Sequence, residues 1–203
     1  MSVTFERSEF SGRMTPFWRE PKVLPGGFSL AQTTFPIGTF IKRGAFVAVD
    51  FDTMSGYIVK VGKVITGGTT SAPRVSKDNN FVVGDTIMVA GNANLARTIS
   101  AIDRSNADYD VLTLSGALTG ATAGAFVQEG IGTTVESTTT YSGRTPNMML
   151  SADLEIQQSQ LATLDCGYEA IVLADVITPF PSDWLLNGGP CLKFNPNIIF
   201  IKQ

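Results

Sequence analysis

The feature that most restricts the fold of this chain is the way its apolar residues arrive in short alternating runs cut by turn residues. From Ile37 the runs IGTFI, AFVAVDF and GYIVKVGKVI are separated by KRG and DTMS, and the pattern resumes at TIMVA, RTISAID, YDVLTLS and AFVQE. A period of two with β-branched enrichment describes strands that bury one face, and short polar breaks are hairpin chemistry. Twenty glycines, ten prolines and a charged fraction of only 16% reinforce this reading, because they favour strands and turns over helices. An all-helical fold is not expected. The expected class is mainly β: a barrel or sandwich core, an inserted small β unit and an extended N-terminal arm.

Composition shifts set the expected boundaries. Residues 1–36 mix charges with aromatics and are broken by Pro16, Pro21, Pro25 and Pro36, so neither a helical nor an alternating period survives. Residues 37–74 and 132–203 are expected to form the main β domain. The loop-like GGTTSAP at 67–73 leads into an inserted barrel or sandwich over 75–131. Beyond it come a Thr-rich loop or edge strand, IGTTVESTTTYSGRTPN, then apolar periodicity in MMLSADLEI and YEAIVLADVI, the second read as a strand. Ser182 is placed as the N-cap of a short helix stopped by Gly188 and Gly189, and NIIFIK as a last strand.

The chain has no histidine, which removes Ser-His-Asp, Cys-His and His-zinc chemistry from within it. Two cysteines, Cys166 and Cys191, cannot build a multi-bridge scaffold or a four-thiolate zinc site, and with no histidine to activate them they read as inert thiols of a reducing compartment, with a single bridge between them as the alternative. The start MSVTFERSEF lacks the apolar run of a signal peptide, and no stretch approaches the ~18 apolar residues of a membrane helix. With 15 Lys and Arg against 18 Asp and Glu, no basic footprint for nucleic acid exists. The acidic stretch DRSNADYD invites a calcium reading through Asp103, Asn106, Asp108 and Asp110, but it lacks the loop glycine of an EF-hand, and Asx side chains capping a turn explain it. The glycines of GG at 67 and GALTGATAG at 116–124 lack the spacing and lysine of a phosphate loop and read as turn glycines. No spacing nominates a carboxylate pair for hydrolysis. No catalytic residue, metal or cofactor is expected.

The remaining candidate is the aromatic arm. Phe5, Phe10, Phe17, Trp18 and Phe28 are numerous and large, and the prolines between them keep the backbone extended. Aromatic anchors dominate interfaces, so these residues are assigned to partner binding; the alternative is that they fold back onto the chain's own sheet.

Three stretches complete the reading. The segment IGTFIKRGAFVAVDFDTMSGYIVKV resembles the opening of head decoration proteins of tailed bacteriophages. The ending YEAIVLADVITPFPSDWLLNGGPCLKFNPNIIFIKQ and the unit from FVVGDTIMVAG to AFVQE resemble auxiliary capsid or head fibre proteins, especially those of Bacteroides-type phages such as the crAss-like group. This resemblance implies a non-enzymatic virion protein made in the bacterial host cytoplasm and seated on the outer capsid surface. It implies the major capsid protein as partner, and often a homotrimer. The alternative is a head-fibre or adhesin-type module that binds host surface glycans through the inserted unit, where Phe81, Tyr109 and Phe126 are the available aromatics.

Overall fold

The computed structural model describes residues 15–24, 27–135, 138–157 and 162–202, and the architecture is mainly β. A nine-stranded sheet forms the main domain. Its path runs Thr163–Leu164, Phe28–Leu30, Ser55–Ile58, Phe46–Asp50, Met148–Leu150, Cys166–Leu173, Asn195–Ile201 and Cys191–Leu192, with Lys22–Val23 also paired to Cys166–Leu173.

Alternation along these strands feeds two cores, one on each face of the sheet. Val47, Met148 and Leu150 pack with Phe28, Ile41 and Ile58 on one side, while Phe46 and Met149 pack with Phe17, Val172 and Trp184 on the other. The mostly apolar run of Cys166–Leu173 follows from this position, since a strand covered on both faces buries most of its side chains; Glu169 is the exception, paired with Lys22 at 2.7 Å. Its partner Asn195–Ile201 lies parallel to it, whereas the hairpins of the sheet are antiparallel.

Six strands close an inserted barrel in the order Tyr109–Leu114, Arg74–Ser76, Val61–Ile65, Phe126–Glu129, Thr86–Val89 and Ala96–Asp103. Closure removes the free edges that an isolated six-strand sheet would expose. Val64, Val75, Phe81, Ile87, Ile99 and Leu112 fill its interior. The unit expected over 75–131 therefore begins earlier. Val61–Ile65 and Arg74–Ser76 are barrel strands, and the run GYIVKVGKVI is shared, with Ser55–Ile58 in the main sheet and Val61–Ile65 in the barrel. The stretch at 67–73 is a turn inside the barrel, with Gly67 at φ 90 where a side chain would strain the backbone.

The Thr-rich segment forms the hairpin Ile131–Val135 with Thr138–Ser142. The helix expected after Ser182 is a pair of 3-10 turns, Ser182–Trp184 and Leu186–Gly188. Pro181 holds the N-cap position, and no side chain caps the turn. Its fixed φ sets the entry angle that a serine cap would otherwise provide.

Candidate functional site

The described part of the N-terminal arm lies on the chain's own sheet. The Leu173 N–H donates to Pro16 O at 2.8 Å and the Trp18 N–H to Ile171 O at 2.9 Å, Phe17 bridges Val172, and Val23 pairs with Gly167. This segment is thus an edge strand along Cys166–Leu173. Phe17 is buried at 1% exposure under the Arg43 guanidinium, and Phe28 is buried to the same degree in its own strand. Both are core residues, and the assignment of Phe17 and Phe28 to a partner surface is corrected accordingly. Phe5 and Phe10 lie outside the described residues. Trp18 differs: strand alternation turns it outward, and it is 58% exposed. Phe40, Phe51 and Phe194, at 54%, 56% and 60%, share this exposure, and no motif in the sequence marks them.

Between barrel and main sheet runs a groove of about 910 Å³ lined by Phe40, Lys42, Arg43, Asp78 and Arg104 among others. Its cations are engaged. Lys42 pairs with Asp78, the nearby Lys77 ammonium lies 2.6 Å from Asp110, and Arg104 donates to Phe81 O. The neighbouring acidic stretch is a set of capped turns, as expected from Asx chemistry. Asp103 accepts from the Ser105 N–H and Asn106 from the Asp108 N–H, each at 2.9 Å. The Ser105 bond holds the Asp103 carboxyl below its ordinary range. Asp110 is instead buried between Lys77 and Asn79. Cys166 and Cys191 are both free thiols, and burial pushes Cys166 up to about 12, which removes its thiolate at neutral pH. No helix among the described residues is long and apolar enough to cross a membrane.

The aromatics of the inserted unit are occupied. Phe81 is fully buried, Tyr109 lies under the Arg74 guanidinium at 4.6 Å, and Phe126 packs against the main-domain core.

A buried polar cluster sits where the chain crosses from sheet to barrel. Lys60 is fully buried between Ile58 and Val61, and its Nζ donates to Asp85 Oδ1 at 2.7 Å and Oδ2 at 2.8 Å. Glu129 Oε1 lies 3.6 Å from the same nitrogen, and the Phe35 ring lies over it at 4.5 Å. The Val82 N–H donates to Asp85 Oδ2 at 2.8 Å, Gln32 reaches Glu129, and Arg144 stacks on Tyr57 beside it. The sequence signal for this cluster is a lysine inside the otherwise apolar run IVKV.

Burial raises the Glu129 carboxyl above its ordinary range, opposed by the Lys60 charge. A carboxyl with a raised folded-state value keeps its proton when the unfolded chain has already lost it. Stability is then greatest below the ordinary glutamate range and falls as pH rises through the folded-state value. Glu129→Gln is expected to remove that fall, so the stability-versus-pH curves of variant and wild type, from urea unfolding at a series of pH values, should diverge in slope over this window.

Comparison with known protein families, curated proteins and solved structures returned no match, so the functional reading rests on the residues and their geometry.

Proposed function

We propose that the chain is a virion structural protein that decorates the outer surface of a tailed-phage capsid and stabilises it by burying surface across major capsid subunits. The observation that carries this reading is the set of aromatic side chains Trp18, Phe40, Phe51 and Phe194, each more than half exposed on a domain whose own cores are full. Exposed aromatics cost solubility in a free monomer and act as anchors when a partner covers them. The phrases that resemble head decoration proteins supply the partner: the major capsid protein, engaged by a homotrimer at a symmetric capsid position. Binding of this kind raises shell stability by mass action and needs no reacting group. The engaged state of Phe81, Tyr109 and Phe126 gives the glycan-binding alternative less support.

The double variant Trp18→Ala, Phe194→Ala tests the proposal. Purified wild-type protein is expected to sediment with capsid shells that lack it. The variant should keep the wild-type melting temperature and lose binding by at least about tenfold, since anchor residues contribute ~2 kcal/mol or more each. Shells bound equally by both proteins would overturn the assignment of these side chains, and shells bound by neither would overturn the capsid reading.

A further inference from the structure

We propose that Lys60 and Asp85 become joined by an intramolecular amide bond that the folded protein forms on itself, with Glu129 carrying the protons. The geometry places the reacting atoms. Lys60 Nζ is almost equidistant from the two Asp85 oxygens, at 2.7 and 2.8 Å, so it faces Cγ, and the two side chains are 0% and 1% exposed. Reacting groups held at this separation in a dry site have already lost the freedom that limits a bimolecular condensation. Water, which would drive the reverse reaction, is excluded by the full burial of both side chains and by the Phe35 ring over the nitrogen.

Each requirement of the condensation has a residue. In a site without water, transfer of one proton from the ammonium to the carboxylate replaces two buried charges by an amine and an acid, which is the reactive pair. The Val82 N–H on Oδ2 marks that atom as the carbonyl oxygen and stabilises the negative charge it gains when nitrogen adds to Cγ. Glu129, 3.6 Å from Nζ, accepts a proton from the attacking nitrogen and delivers one to the departing Oδ1. One C–N bond forms, one C–O bond breaks and one water leaves, with no oxidant, metal or cofactor. Burial raises the proton affinity of the Glu129 carboxylate above that of an ordinary glutamate, which suits it to take the proton from nitrogen before passing one on.

A second lysine-aspartate pair shows what the site has in addition. Lys77 lies 2.6 Å from Asp110, but its side chain is 31% exposed, and the other Asp110 oxygen is held by Asn79 and faces Arg104. No bond is expected there. The Lys60 bond would tie the chain at its crossing into the barrel to the start of Thr86–Val89, a covalent closure open to a protein whose two cysteines are unpaired. This inference does not depend on the capsid reading.

The test is the intact mass of the full-length protein under denaturing conditions, followed by tryptic mapping. The wild-type chain is expected to be lighter than its sequence by one water. Lys60 should resist trypsin, leaving residues 44–63 joined to residues 78–97 as one branched peptide. Lys60→Arg is expected to carry the full sequence mass, and Glu129→Gln to remain unlinked or to link far more slowly. A wild-type mass equal to the sequence, with cleavage after Lys60, would overturn the proposal. Loss of water confined to the 78–97 peptide, as a cyclic imide at Asp85 would give, would overturn it as well. Linkage in Glu129→Gln at the wild-type rate would overturn the role of Glu129. These readouts come from the unfolded chain, so a variant that folds poorly cannot imitate the wild-type result.

Discussion

Replacing Asp85 by alanine is expected to lower the free energy of unfolding by about 3–5 kcal/mol, read from urea denaturation followed by circular dichroism. The size follows from what stays behind. Lys60 is fully buried, and without Asp85 its ammonium keeps Thr34 at 3.4 Å, the Phe35 ring and a more distant Glu129. The Val82 N–H loses its acceptor in the same step. The double variant Lys60→Met, Asp85→Leu separates two contributions to this loss. If the pair were ionic alone, two apolar side chains of similar volume would restore stability to near the wild-type value. With an amide bond closing a loop of 25 residues, the double variant should stay below wild type by about 3 kcal/mol, the loop-closure contribution of such a cross-link. Full recovery in the double variant, with a wild-type mass equal to the sequence, would assign the cluster to an ion pair.

Deletion of residues 1–24 is expected to be comparably damaging and to announce itself as aggregation. The deletion removes Phe17, whose burial is worth ~3–5 kcal/mol by analogy with phenylalanine truncation in cores. It also strips the main-chain partners from one side of Cys166–Leu173, leaving the strand CGYEAIVL, apolar but for Glu169 and Tyr168, with unpaired N–H and carbonyl groups. Size-exclusion chromatography should show the truncated chain in the void volume. Phe17→Ala alone should lower the melting temperature without exposing the edge, because its backbone can still pair. A monodisperse deletion that melts like the wild type would show that the segment is dispensable to the sheet. Deletion of residues 1–14, in contrast, spares every contact described above.

How far the sequence discloses this molecule differs from element to element. Alternation locates most strands, since Phe46–Asp50 and Tyr109–Leu114 fall within runs that read as strands and Cys166–Leu173 overlaps another. It does not say which sheet a strand joins. GYIVKVGKVI reads as one alternating run, yet it passes from the main sheet to the barrel, because period-two patterning records a buried face and is silent on the neighbour that buries it. The arm poses a related difficulty. Its prolines indicate extended backbone, but extended backbone can add to a sheet of its own chain or of another, and adjacent Phe17 and Trp18 end on opposite sides of the edge. The buried cluster is hidden for a different reason. Lys60, Asp85 and Glu129 meet only because barrel closure brings the ends of Val61–Ile65, Thr86–Val89 and Phe126–Glu129 together, and no spacing in the sequence encodes that meeting.

The parallel pairing of Asn195–Ile201 has a topographic consequence. Pro16 and Ile201 flank the same residue, Leu173, from its two sides, so the described chain enters and leaves the main sheet at one end of one strand. Two inter-strand spacings put these points about 10 Å apart. Anything tethered through either end emerges from a single spot on the surface, and tension between the two tethers would peel the flanking strands away from that spot one bond at a time rather than loading them together, while the barrel, inserted between distant parts of the sheet, would carry none of it.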